Sequence, residues 1–122
     1  MLKGKFRLKK RKDFENTYKK GKTISNNFFL IKITYNNLEF NRIGFVVSKK
    51  TANKIVTRNK IKRKIREIIR LMQDELKNGY DVIVIAKSGC LNQKYKDLKI
   101  NLEKILKKGN LLINEKNISK IN

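Results

Sequence analysis

Ile61, Ile65, Ile68, Ile69, Met72 and Leu76 recur at spacings of three and four, the rhythm of one buried stripe on an α-helix. The helix is predicted to end near Lys77-Asn78-Gly79, with Gly79 closing it. Two strand-like runs precede it. Phe28 to Tyr35 is rich in β-branched and aromatic residues, and a second run starts at Phe40 or Arg42 and reaches Ser48. Asn36-Asn37 is a turn signal between them, so an antiparallel hairpin is expected. After the helix, Asp81 to Lys87 is an almost unbroken apolar run, the pattern of a strand buried on both faces. A strand, a helix and a buried strand in that order predict a βαβ crossover with parallel outer strands.

Leu91, Tyr95, Leu98, Leu102, Ile105 and Leu106 mark another amphipathic helix, closed by Lys107-Lys108-Gly109. Near the start, a short helix is expected from Lys12 or Asp13 to Lys20, with Asp13 as N-cap and Gly21 as stop. One further short strand fits around Thr23, and residues 110–122 form another helical turn or a frayed end. The order α-β-β-(β)-α-β-α makes one α+β domain over residues 1–122, a two-layer α/β sandwich with its helices on one sheet face.

Charge changes the meaning of the long helix. From Lys49 to Arg70 a single acid, Glu67, stands among ten Lys and Arg residues. At 100° per residue, Asn59, Lys62, Arg63, Arg66 and Arg70 project away from the apolar stripe. A solvated surface helix would interleave acids with its bases. One that anchors an apolar face and offers a cationic one suits a polyanion. The net charge of +22 in 122 residues points the same way.

Composition also excludes chemistry. There is no histidine, and the single Cys90 allows neither an internal disulfide nor a cysteine zinc cluster. It is expected as a small buried side chain. Among the ten acids only Asp74 and Glu75 are sequence neighbours, and neighbours diverge on a helix. No glycine-rich phosphate loop appears. The chain binds and positions, and the chemistry is expected to lie in a partner. No apolar run approaches the roughly 18 residues of a membrane span. The first ten residues lack the apolar centre of a secretory signal, so no membrane and a cytoplasmic location are expected.

The segment RIGFVVSKKTANKIVTRNKIKRKIRE, Arg42 to Glu67, resembles the strand, Ser-Lys-Lys turn and basic helix of the protein subunit of bacterial ribonuclease P. Arg7 to Lys22 resembles that family's opening helix, and Tyr80 to Lys87 its later strand. Three ordered blocks spread over nearly the whole chain are far more specific than one basic helix. The resemblance implies a left-handed βαβ crossover, against the general right-handed rule. It also implies a ribonucleoprotein endoribonuclease that removes the 5′ leader of precursor tRNA, with catalysis and Mg²⁺ residing in the RNA subunit.

By that resemblance, Arg58, Asn59, Lys60, Lys62, Arg63, Arg66 and Arg70 face the catalytic RNA subunit. Lys60 stands where the family usually carries Arg, which keeps charge but loses the planar fork. Phe14, Tyr18, Ser48, Lys49, Lys50 and Lys87 are implied to form a cleft for the single-stranded leader. Aromatic faces there would stack on any base while ammonium groups track phosphates. By spacing alone, Phe14 and Tyr18 are an ordinary core stripe of the first helix. Lys32 replaces a Tyr often found in the family's first long strand.

Competing readings are a basic ribosomal protein or RNA chaperone, and a protein-only nuclease. The first shares the charge but does not require the three ordered blocks. The second needs clustered carboxylates, which the sequence lacks. A DNA-binding helix-turn-helix is disfavoured because a βαβ unit surrounds the basic helix, so no DNA partner is expected.

Overall fold

The computed structural model describes residues 4–113. Helix α1 spans Arg11–Lys20, and strands β1, β2 and β3 span Lys22–Ser25, Phe29–Tyr35 and Arg42–Val47. Helix α2 covers Ile55–Met72, β4 covers Tyr80–Ala86 and α3 covers Tyr95–Lys108. Short 3₁₀ turns lie at Gly4–Phe6, Gln73–Glu75 and Ser88–Cys90. The α+β order and the strand at Thr23 are as read from the sequence; most of residues 110–122 lie outside the described region.

The four strands form one mixed sheet in the order β1-β2-β4-β3. Strand β4 is antiparallel to β2 and parallel to β3, which gives the expected parallel βαβ unit. The expected hairpin between β2 and β3 does not form, because β4 lies between them. β4 is the most apolar strand, so the centre of the sheet, with a strand on either side of it, is where it removes most surface from water. The Asn36-Asn37 turn does exist, with Asn37 left-handed at φ 60°, but it leads into a loop rather than a two-strand ribbon.

Register defines two sheet faces. Ile24, Phe29, Ile31, Ile33, Ile43, Val47, Val82 and Val84 point to one, where they meet the stripe of α2 and the Leu98, Leu102, Ile105 and Leu106 stripe of α3. Helix α1 lies on the other face. A Cβ placed on Gly44 there would sit 3.1 Å from Cε2 of Phe14, so the ring rests on glycine backbone. The helices therefore do not share one face. The sequence could not show this, because α1 carries little apolar surface and its partner residues are spread over three strands.

Two element ends also differ. Asp13 is not an N-cap: α1 begins at Arg11, with Lys10 as a cap that makes no side-chain bond, and Asp13 instead accepts from Arg42. Helix α2 stops at Met72, and the 3₁₀ turn that follows still buries Leu76. Gly79 adopts φ 97° at the start of β4 instead of closing the helix.

Candidate nucleic-acid interface

The face under α1 is only partly covered. Leu30, Ile85 and Val46 are cross-strand neighbours in one row, all half-buried, and they continue on the same side as Lys32, Ile83 and Gly44. Sequence reading missed this apolar floor; in β2 the alternation of Leu30, Lys32 and Thr34 was its one local signal. Phe14 and Tyr18 stand one helical turn apart above the face, Phe14 half-buried and Tyr18 50% exposed. Phe14 packs on the sheet, as a core stripe would, whereas Tyr18 stands half-open to solvent.

The far ends of β3 and β4 supply the cations. Ser48 and Thr51 close a turn, with the Thr51 N–H donating to the Ser48 carbonyl at 3.1 Å and the Thr51 hydroxyl to the Ala86 carbonyl at 3.1 Å. That second bond pins the exposed Ser48, Lys49 and Lys50 beside Lys87. The Lys87 ammonium donates to the Asn26 carbonyl at 2.8 Å, which fixes its position in the β1–β2 turn. Ser48, Lys49, Lys50 and Lys87 are thus brought together, at one end of the face that α1 partly covers.

A partly buried ion cluster fixes α1 over the sheet. Arg42 binds Asp81 through two bonds, Nε to Oδ1 at 2.8 Å and Nη2 to Oδ2 at 2.7 Å, and donates to Asp13 of α1 at 3.0 Å. Asn36 donates a further bond to Asp81 at 2.9 Å. The hydrogen bond to Asp81 raises the Arg42 pKa, with burial opposing it and the charges of both aspartates adding to the rise. These carboxylates are committed to Arg42, and the remaining cleft groups are lysines, a hydroxyl and rings. That set does not fit a Mg²⁺ ion, which needs several free oxygen ligands.

The opposite face carries the basic helix. Its stripe is as expected: Ile61, Ile65, Ile68, Ile69 and Met72 are all buried. Asn59, Lys60 and Arg63 are exposed and Lys62 is half-buried. Three predicted contacts are engaged within the protein. Arg58 donates to the carbonyls of Ala52 and Asn53 at 3.0 and 2.9 Å, shaping the approach to α2. Arg70 is paired with Glu67 at 2.6 Å. Arg66 does not face wholly away from the stripe: it is half-buried, with its guanidinium 5.7 Å from the ring centre of Phe45 on β3. The Ser48–Thr51 turn joins the two surfaces, since it leaves β3 beside the cleft and leads into α2.

A hollow of about 300 Å³ opens at the other ends of β3 and β4, among Phe40, Ile43 and Leu76, and holds none of the predicted site residues.

The sequence model of the family described as Ribonuclease P matches residues 2–110. The chain belongs to that family. It is 40% identical over 106 residues to the ribonuclease P protein component of Alkaliphilus oremlandii, covering 87% of this chain and 92% of the relative. Identity to the protein component of Clostridium acetobutylicum is 36% over 116 residues, covering 93% and 97%. The fold superposes on the RNase P protein of Staphylococcus aureus with a TM-score of 0.81 at 34% identity, covering 88% of this chain and 98% of that one. For the RNase P protein of Thermotoga maritima the TM-score is 0.77 at 31% identity, covering 84% and 96%. Membership of that family implies participation in an endoribonuclease complex.

Proposed function

We propose that this chain binds the catalytic RNA subunit of ribonuclease P through the solvent face of α2, and holds the 5′ leader of precursor tRNA in the cleft between α1 and the sheet. Asn59, Lys60, Lys62 and Arg63 meet RNA-subunit phosphates, with Arg58, Arg66 and Arg70 bordering that face. Phe14 and Tyr18 offer aromatic surface to leader bases, and Ser48, Lys49, Lys50 and Lys87 meet its phosphates. Hydrolysis belongs to the RNA subunit, whose oxygens hold the Mg²⁺.

The observation that carries this reading is that the two surfaces lie on opposite faces of one sheet and meet at the Ser48–Thr51 turn. A protein so built can grip two RNAs at once and set one relative to the other. Pre-organising a substrate this way lowers the barrier without any protein group entering the reaction. The test is cleavage of precursor tRNA at low Mg²⁺ by the RNA subunit, by the protein, and by both. Efficient 5′ processing is expected from the combination alone. Site-specific cleavage by RNA-free protein would overturn the assignment of chemistry to RNA.

A further inference from the structure

The hollow at the starts of β3 and β4 lies at the end of the sheet opposite the Ser48–Thr51 turn. Its volume is about 300 Å³, room for one ring and a short arm. The 3₁₀ turn at Gly4–Phe6 builds its aromatic wall by setting Phe6 edge-on to Phe40, with ring centres 5.6 Å apart. Ile43 and Leu76, both buried, and Ile113 add to the apolar lining. Asn41 braces the wall, donating to the Lys77 carbonyl at 2.6 Å and accepting from the Tyr80 N–H at 2.8 Å. Charge here runs against the rest of the chain. Asp74, from the 3₁₀ turn after α2, stands exposed on the lining of this hollow in a molecule of net charge +22. Among the described residues no base pairs with it. The aromatic pair already draws a cation, since the Lys5 ammonium lies 4.9 Å from the ring centre of Phe6 and 5.5 Å from that of Phe40.

We propose that this hollow is a binding site for a small organic cation, whose flat apolar ring lies among Phe40, Ile43 and Leu76 and whose ammonium pairs with Asp74. Burial of the ring supplies the affinity. The carboxylate selects the cation over neutral and anionic molecules with the same body. The inference does not rest on the RNA reading, because the hollow holds none of the residues assigned to either RNA surface. Ligand and RNA therefore do not compete for the same groups. The competing reading is a dent filled by water, with Asp74 serving only as a solvated surface charge.

The experiment titrates the full chain, isotopically labelled for NMR, with phenethylamine, phenethyl alcohol and phenylacetate at neutral pH. The three probes share a ring and differ in charge. Phenethylamine is expected to give saturable backbone shifts at Phe40, Leu76 and Asn78. It should bind about twofold to fivefold more tightly than the alcohol, the range of an exposed ion pair. Phenylacetate should bind the hollow most weakly of the three. Asp74→Asn keeps the shape and removes the charge. It should bring the amine down to the affinity of the alcohol and leave the alcohol itself unchanged. Its melting temperature should match wild type, because Asp74 is exposed.

Shifts that never saturate, or that gather at Val46 and Ile85 in the cleft and spare the hollow, would overturn the site. Equal affinity for the amine and the alcohol would also overturn it, and so would tighter binding of phenylacetate there. A preference for the amine that survives Asp74→Asn would remove Asp74 from the role given to it, and the proposal would fall with it. None of these results touches the RNA-binding reading, which is tested by precursor tRNA cleavage.

Discussion

At the scale of single residues, the Arg42 cluster carries the sharpest stability prediction. Asp81 is 5% exposed, and removing the guanidinium would leave its charge with Asn36 as its one side-chain partner among the described residues. Breaking a fully buried pair from one side costs about 3–5 kcal/mol, and the partial exposure of Arg42 places this pair at or below the lower end of that range. Arg42→Ala should lower stability by that order in urea unfolding, and α1 should lose its hold through Asp13 at the same time. Phe14 and Tyr18, one turn apart, should separate in the same way. Phe14→Leu is expected to lower the melting temperature because its ring rests on Gly44. Tyr18→Leu should keep the melting temperature and weaken leader-bearing precursor tRNA about tenfold, within the 1–3 kcal/mol of a base stack. Cys90 is 1% exposed and donates to the Phe28 carbonyl at 2.9 Å. Burial pushes its thiol up from 9.0 to about 11, so the folded state holds the proton more tightly than the unfolded one. The associated stability is complete below about pH 9 and is lost as pH rises towards 11. Unfolding titrations across that window should show the decline, and Cys90→Ala should remove that component of it.

At the scale of elements, α2 separates anchoring from binding. Ile65 is 1% exposed, so Ile65→Asp should abolish folding by burying an unpaired carboxylate. Lys60→Ala and Arg63→Ala should leave the melting temperature alone. If five to eight phosphates are neutralised, RNA-subunit binding should show a log–log salt slope on the order of −4 to −7, and each substitution should flatten it by about one. Arg66→Ala should also cost stability, because its guanidinium lies against Phe45. The stripe of α2 was legible because a helix repeats its face within a few residues. The pairing of β2 with β4 was not. A short turn after Tyr35 argues locally for a hairpin, while the decision is made by an apolar strand that begins 45 residues later in the chain, at Tyr80. The cleft was legible only as separate residues. Its floor of Leu30, Ile85 and Val46 comes from three strands, and nothing in any one of them shows that they share a row.

At the scale of the whole molecule, two kinds of sheet surface explain how so basic a chain folds. Most of the apolar residues are gathered on the face covered by α2 and α3, and the cations lie around it. The other face is left partly open, and that openness is what gives the cleft its floor. The strand order has one more consequence, for the moment of synthesis. β4 hydrogen-bonds to both β2 and β3, yet it is the last of the four strands to leave the ribosome. Until then β3 has no sheet neighbour among the described strands, and α2 has no finished surface for its isoleucines. A fragment of residues 1–79 should therefore show no cooperative thermal transition by circular dichroism, although it contains α1, the Ser48–Thr51 turn and the whole basic helix. The growing chain carries its full basic helix before it can fold around it, so the interval between residue 72 and residue 86 is when it is most exposed to stray RNA.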